Sequence, residues 1–427
     1  MITPEFLNEI MYAVEDRLIE VDSYILQRIA KRIMKSFEND EGNLIIPSTK
    51  YDIQKLLNSG LMYEEIQEAV ADMLPEIQGA VRDAFYHSAA EITKQNLKLA
   101  KQIVDLEGLA SVDVPKWEQV GITSKASELQ MTEFEIRQLE AAYDRTMGTI
   151  RNMTRTTANT TNQAFINSVD KAYMKAAVQG ISVQTAVIDS IKEMSAQGVE
   201  CVTFGGKKVR VESAIATAVR TGVNQANGDI VLTRCAEMGV QYVKTSAHMG
   251  ARVTKYDDFR THAKWQGRVF SLNYDRSELA RYAAKIADEK GFEWLAEMRR
   301  SLKDKSKKQY PDFVEECGYG DVQGICGANC RHSFYPYYPG IQTDDDSRPD
   351  LEANEERFRL DQKQRLMERK IREAKRILSG IKAAGGKEKE FIDAKRQAKE
   401  RLYDLTEKYL DFCKSNNLKP RNMSLKV

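Results

Sequence analysis

The chain has 427 residues, of which 42% are hydrophobic and 30% charged, a balance that excludes a wholly disordered protein and a membrane-embedded one. Lys and Arg number 64 and Asp and Glu 63, so net charge alone points to neither a nucleic-acid nor a membrane partner. The charges are unevenly placed: residues 1–110 carry 11 basic and 19 acidic side chains, and residues 351–427 carry 21 basic and 13 acidic, giving an acidic head and a basic tail.

The N-terminal stretch MITPEFLNEIMYAVEDRL is acidic and lacks the apolar core of a signal peptide. No run of apolar residues approaches the ~18 needed for a membrane-spanning helix. Six cysteines in so long a chain do not form a secreted disulfide framework, and synthesis in a reducing cytosol is the simplest expectation.

Phe6, Ile10, Val14, Leu18, Val21, Ile25, Ile29 and Ile33 recur every three or four residues and predict a first helix. Asn39 to Ser48, with Gly42 and Pro47, reads as a break. Ile66, Val70, Met73, Ile77, Val81 and Ala84 form a second apolar stripe, with a kink or boundary expected at Pro75. A looser stretch at about 105–130 contains Pro115 and Trp117. Thr132 and Glu135 then have capping-box spacing. A helical face follows through Leu139, Tyr143, Met147 and Ile150, then a Thr-rich patch poor in core residues, and helix again through Phe165, Val169, Val187, Ile191 and Met194.

After Gly198 the texture changes. CVTFGGKKVRVE reads as a short hairpin around Gly205-Gly206. A helix is expected from about Ser213 to Met238, with strands at VQYVKTSAH and GRVFSL, and a charged helix over 277–307. Pro311 to Gly340 is rich in Gly, Cys, Tyr and Pro and reads as loop, and Asp344 to Asp346 lead into a linker. In the tail, Leu360, Met367, Ile371, Ala374, Leu378 and Ile381, then Phe391, Ala394, Ala398, Leu402, Leu405, Tyr409 and Phe412, keep heptad-like spacing on either side of Gly385-Gly386. This predicts an antiparallel helical hairpin. The expected fold is mainly α with a small α+β module: a helical region at 1–198, the module at 199–341 and the basic hairpin at 342–427.

The chain contains no P-loop, GxSxG, HExxH or EF-hand motif. Two stretches stand out. SAHMGARVTKYDDFRTHAKWQGRVF contains His248, Arg252, His262, Trp265, Gln266 and Gly267, and GICGANCRHSFYPYYPG contains Cys326, Cys330, Arg331 and His332. Three of the four histidines lie in these stretches, and one fold could bring them together. One reading is a zinc site with His262, Cys326, Cys330 and His332 as a tetrahedral S2N2 set. Another is a tight turn pinned by buried hydrogen bonds, in which His262 and His332 bond backbone carbonyls and Arg331 pairs with an acid. A third, a Cys–His nucleophile pair, lacks an orienting third group. Cys201, Cys235 and Cys413 read as packing residues, and His87 as a surface or packed histidine. Two rival functions remain beside a structural role: a metal-dependent hydrolase built on the His/Cys cluster, and DNA binding through the basic tail.

These stretches resemble the phage minor capsid protein 2 family, related to the Mu F-like head-morphogenesis proteins. The resemblance rests on SAHMGAR (His248, Arg252), HAKWQGRVF (His262, Trp265, Gln266, Gly267) and GICGANCRHSFYPYYPG (Cys326, Gly327, Asn329, Cys330, Arg331, His332, Pro339, Gly340). Broader relatives carry C-R-C or C-R-H at the second element, and here His332 takes the place of the second Cys. The resemblance implies a non-enzymatic virion protein, made in the host bacterial cytoplasm and located in the capsid interior. Its implied partners are the portal protein, other head proteins and packaged DNA, with roles in head assembly or DNA delivery, and with no small-molecule substrate and no cofactor.

Overall fold

The computed structural model describes residues 4–39, 41–46, 51–106, 131–203, 205–290, 310–421 and 425. The expected loose stretch with Pro115 and Trp117 lies almost entirely outside the described residues, as does the second half of the expected helix at 277–307. Among the described residues the fold is mainly α, with two small antiparallel sheets. The helices are α1 (Pro4–Lys35), α2 (Tyr51–Leu106), α3 (Glu133–Ala177), α4 (Val183–Gln197), α5 (Val211–Glu237), α6 (Ser277–Lys290), α7 (Phe313–Cys317), α8 (Leu351–Ala384) and α9 (Lys389–Ser415). The strands are β1 (Glu200–Val202), β2 (Lys208–Arg210), β3 (Tyr242–Thr245), β4 (Val269–Ser271) and β5 (Phe334–Tyr337).

Several elements depart from the sequence expectation for local reasons. Pro75 lies inside α2 without ending it. Both Pro75 and Ala71, whose carbonyl loses its helical donor, are exposed, so water can satisfy the freed group. The Thr-rich patch stays helical within α3. Thr154, Thr156 and Thr157 each donate to a carbonyl three or four residues back, at 2.8–3.0 Å. Thr157 and Thr161 are buried despite their hydroxyls. The helical face expected to run on to Met194 is interrupted after Ala177, and Ser182 caps the new helix by accepting from the Thr185 N–H. The stretch 311–340 is not all loop: it contains α7, capped by Asp312, and strand β5. Pro336 hides β5 in the sequence, but β5 is an edge strand, where a missing N–H costs no ladder bond.

The described chain divides into two compact units. One comprises 1–11, 81–147 and 217–361, and the other 12–80, 148–216 and 362–427. The second unit is an apolar helical assembly. α1 contributes Val21, Ile25, Ile29 and Ile33, α3 Phe165 and Val169, α4 Val187 and Ile191, α8 Ile377 and Ile381, and α9 Phe391, all in one core. The expected tail hairpin is present: α8 and α9 run antiparallel, with Arg401 donating to Glu373 and Tyr409 donating to Glu368. Cys201 pairs opposite Val209 in the β1–β2 hairpin.

Asp22 lies within this second core. Its Oδ1 accepts from the Val199 N–H at 2.9 Å. The Arg376 guanidinium lies 4.0 Å away and also donates to the Ser195 carbonyl. Burial, with the Glu212 carboxylate adding to it, raises the Asp22 carboxyl to about 6 against the pull of Arg376.

The first unit contains the sheet β4-β3-β5, with Val243 opposite Phe270 on one side and Pro336 on the other. The predicted capping box opens α3: Thr132 Oγ1 accepts from the Glu135 N–H at 3.3 Å, and Glu135 accepts from the Thr132 N–H at 2.8 Å. Glu135 also receives Arg234 of α5 through two contacts, of 2.6 and 2.8 Å, both side chains being fully buried.

Between about pH 6 and 4 the folded state holds a proton on Asp22 that the unfolded chain does not, so the Asp22 contribution to stability rises as pH falls through that window. Asp22→Asn keeps an acceptor for Val199 and removes this pH dependence. The denaturation midpoint of the variant minus that of the wild type should therefore be larger at pH 7 than at pH 4.5, and an unchanged difference would refute the assignment. Arg234→Met strands the buried Glu135 carboxylate and should cost about 3–5 kcal/mol in urea unfolding. A loss within error of zero would show the pair to be dispensable.

Candidate functional site

The two sequence stretches singled out above meet in the first unit. β3 leads into Ser246, whose N–H donates to the Ser333 carbonyl at 2.8 Å, and the Ser333 N–H donates to Ser246 Oγ at 2.9 Å. These bonds extend the β3–β5 pairing to where His248 and His332 lie side by side. Their rings stack with centroids 4.4 Å apart.

The first wall of the site is the single 3-10 turn His262–Lys264 and the residues after it. Thr261 Oγ1 donates to the Tyr256 carbonyl at 2.6 Å, and the Trp265 indole N–H donates to the Phe259 carbonyl at 2.8 Å. These two bonds fix the approach to the turn. Trp265 is buried, with its ring centroid 4.7 Å from His262 and 4.8 Å from His332.

The second wall is the loop after α7. Gly324 and Gly327 let it fold back on itself: a Cβ would fall 2.0 Å from the Gly318 carbonyl oxygen at the first and 2.4 Å from the Val322 carbonyl oxygen at the second. Cys326 and Asn329 both adopt the left-handed conformation, with φ of 59° and 57°. Such residues persist only where surrounding contacts over-determine them. Here the contacts come from α5 and from Arg252. Asn329 Oδ1 accepts from Thr217 at 3.2 Å and Arg220 at 3.4 Å, and Asn224 Nδ2 donates to the Cys330 carbonyl at 2.9 Å. Arg252 donates to the Gln323 and Ala328 carbonyls at 3.2 and 2.8 Å.

Between the walls, His262 Nε2 lies 2.8 Å from the Gln323 carbonyl oxygen. His332 Nε2 lies 3.2 Å from Gln266 Oε1, which also accepts from the His248 backbone N–H at 2.9 Å. Cys330 Sγ lies 3.8 Å from Nδ1 of both His262 and His332. All three side chains are buried, and their donor atoms lie within 4.8 Å of one another. Burial depresses both imidazoles, His262 to about 4 and His332 well below its ordinary value. Burial also pushes the Cys330 thiol up. At neutral pH these are two neutral imidazoles and a thiol, a state opposed to that of an activated cysteine nucleophile.

His248, Arg252, His262, Trp265, Gln266, Cys330 and His332 thus meet in one constellation, and Gly267 adjoins it through its N–H, which donates to the Ser246 carbonyl at 3.3 Å. Cys326 does not join the donor group. Its left-handed backbone places Sγ against α5, 3.6 Å from where a Cβ on Gly228 would lie. His262 bonds a backbone carbonyl as expected, but the partner of His332 is a side-chain amide. Arg331 is half-buried between Cys330 and His332. Sequence reasoning missed Gln323 and the α5 pins Asn224, Thr217 and Arg220. The signal for Asn224 is a polar residue on the apolar face marked by Val223, Ile230 and Val231.

Gly327→Ala introduces a Cβ that meets backbone, which cannot move aside as a side-chain tip can. It should lower the thermal midpoint by several degrees and raise amide exchange across 322–332. A variant with wild-type stability and protection would show that the loop is not under this constraint.

The model of a family described as Phage minor capsid protein 2 matches residues 2–412. Comparison with curated proteins and comparison with solved structures each give no match. Among the described residues no helix is long and apolar enough to cross a membrane. Matched over nearly its whole length, in both compact units, the chain belongs to the phage minor capsid protein 2 family and is a structural component of the phage particle.

Proposed function

We propose that the protein acts inside the capsid by binding the portal and other head proteins, assisting head assembly or DNA delivery without turning over a substrate. The observation that carries this reading is the family match, which spans the helical segments, the α+β module and most of the basic hairpin rather than one portable domain. The physical features agree with a binding role. Long helices offer faces for docking, and on α9 the exposed Ile392, Tyr403 and Leu410 lie within about 20° of one another around the helix axis. The His/Cys cluster is buried and uncharged, as suits a pinned turn better than a reaction centre.

DNA contact by the tail is the weaker reading. Several of its basic side chains are already engaged with acids of the same hairpin: Arg396 with Asp393 and Glu400, Arg401 with Glu373, and Arg421 with Glu368.

Co-expression of the chain with the portal and major head proteins of the same phage tests the proposal. Retention on tagged portal or on assembled heads is expected, with at least a tenfold weakening in a Tyr403→Glu, Leu410→Glu variant that folds normally. Failure of every head component to retain the wild-type chain would overturn it. Salt-sensitive DNA retention that is lost when the exposed Lys395, Lys399 and Lys408 are all changed to Gln in a folded chain would instead favour the DNA reading.

A further inference from the structure

We propose that His262 Nδ1, Cys330 Sγ and His332 Nδ1 are the protein ligands of a divalent ion of borderline softness, zinc by preference, which clamps the 3-10 turn to the cysteine loop. The first support is convergence. Two imidazoles from segments far apart in the chain present the same ring nitrogen to the same sulfur at the same separation, 3.8 Å.

The second is the proton inventory. The Gln323 carbonyl oxygen only accepts, so His262 Nε2 carries the proton. Gln266 Oε1 already accepts from the His248 N–H, which fixes the amide orientation, so His332 Nε2 also donates. Both Nδ1 atoms are therefore lone-pair sites. They share one sulfur that has a single proton to give, and one lone pair therefore gains no proton from it. Three convergent donors in a buried setting are a cation site, and binding would convert the thiol to a thiolate, its proton leaving to solvent.

The third is the surrounding shell. Metal-binding histidines donate their other ring N–H to a carbonyl or amide that sets tautomer and ring plane, and both do so here. Zinc–sulfur and zinc–nitrogen bonds of about 2.3 and 2.0–2.1 Å place those atoms about 3.6 Å apart around a tetrahedral ion. The observed 3.8 Å fits, and closing the two ring nitrogens, no more than 4.8 Å apart, to the about 3.4 Å of a tetrahedral pair takes at most about 1.4 Å, shared between two side chains. The absence of a carboxylate from the group, together with one sulfur and two imidazoles, selects against magnesium and calcium. The fourth position falls to a small exogenous ligand such as water, because Cys326 Sγ faces α5. The ion's role is mechanical: it joins residue 262 to residues 330 and 332 in a module whose sheet has only three short strands.

The test uses the full chain, produced with zinc in the medium and purified without chelator. About one equivalent of zinc per chain by elemental mass spectrometry is expected. Chelation should lower the thermal midpoint and added zinc should restore it. Cobalt titration of the stripped protein should give a thiolate-to-metal charge-transfer band, present in Cys326→Ser and absent in Cys330→Ser. A folded wild-type chain that holds no zinc and gives no such band overturns the proposal, as does a folded Cys330→Ser that keeps its zinc. If Cys330→Ser does not fold, the wild-type titration decides, and loss of the band in a folded Cys326→Ser would refute the assigned ligand set. None of these readouts depends on whether the portal retains the protein.

Discussion

A single amide oxygen, Gln266 Oε1, fixes the register of the α+β module. It accepts from the backbone N–H of His248 and from the ring of His332, and so ties the end of β3, the residues after the 3-10 turn and the start of β5 to one point. Moving any of these three segments by a residue leaves a buried donor without an acceptor, a penalty of about 1–3 kcal/mol. The stacking of His248 on His332 and the placement of Trp265 against both site histidines depend on that register. The constellation is thus specified by hydrogen-bond direction first and by shape second.

The two compact units are held together by different physics. The unit containing α9 buries aliphatic and aromatic side chains from six helices in one cluster, and three of its buried charges, Asp22, Glu212 and Arg376, lie close to one another. The unit containing β3, β4 and β5 carries polar pins at its loops and helix faces. Asn354 of α8 both donates to and accepts from Ala251, Asn227 donates to Ser88, and Tyr282 donates to Asp229. Apolar burial tolerates small adjustments at modest cost, whereas a satisfied polar network has few alternative arrangements. The second kind of order suits a unit that must hold irregular loops in one shape.

How far the sequence disclosed this follows the same division. Periodic apolar stripes marked α1, α3, α8 and α9, because burial on one helical face leaves a 3.6-residue signature. The capping box at Thr132 and Glu135 and the Gly205-Gly206 hairpin were legible because each depends on residues adjacent in sequence. β5 was not, because its pairing is non-local and Pro336 reads as a strand breaker until the strand is known to lie at an edge. The meeting of the Trp265 stretch with the Cys330 stretch was anticipated from their unusual residue types. What was not legible was which atoms would face inward. A CxxxC-like spacing made Cys326 an equal of Cys330, and only the left-handed turn at Cys326 sends its sulfur elsewhere. Asn224 escaped notice because a single polar residue on an apolar helix face says that something is bonded there, not what.

The sheet itself explains why polar residues are concentrated at this point. Its strands have three or four residues each, and so small a sheet is not stable alone in water. It needs a packed layer, supplied by Phe270, Phe313 and Phe334, and something to stop its connecting loops from opening. A loop as compact as 318–332 turns its backbone groups inward, where apolar side chains would leave them unsatisfied. Arg252, Asn224 and His262 answer that need directly, each directing a donor at one of its carbonyls. With those donors committed, the two Nδ1 atoms and the Cys330 sulfur are left facing one another in the interior. The concentration of ligating atoms is in this sense a consequence of closing the loop, and a bound ion would complete the closure that the hydrogen bonds begin.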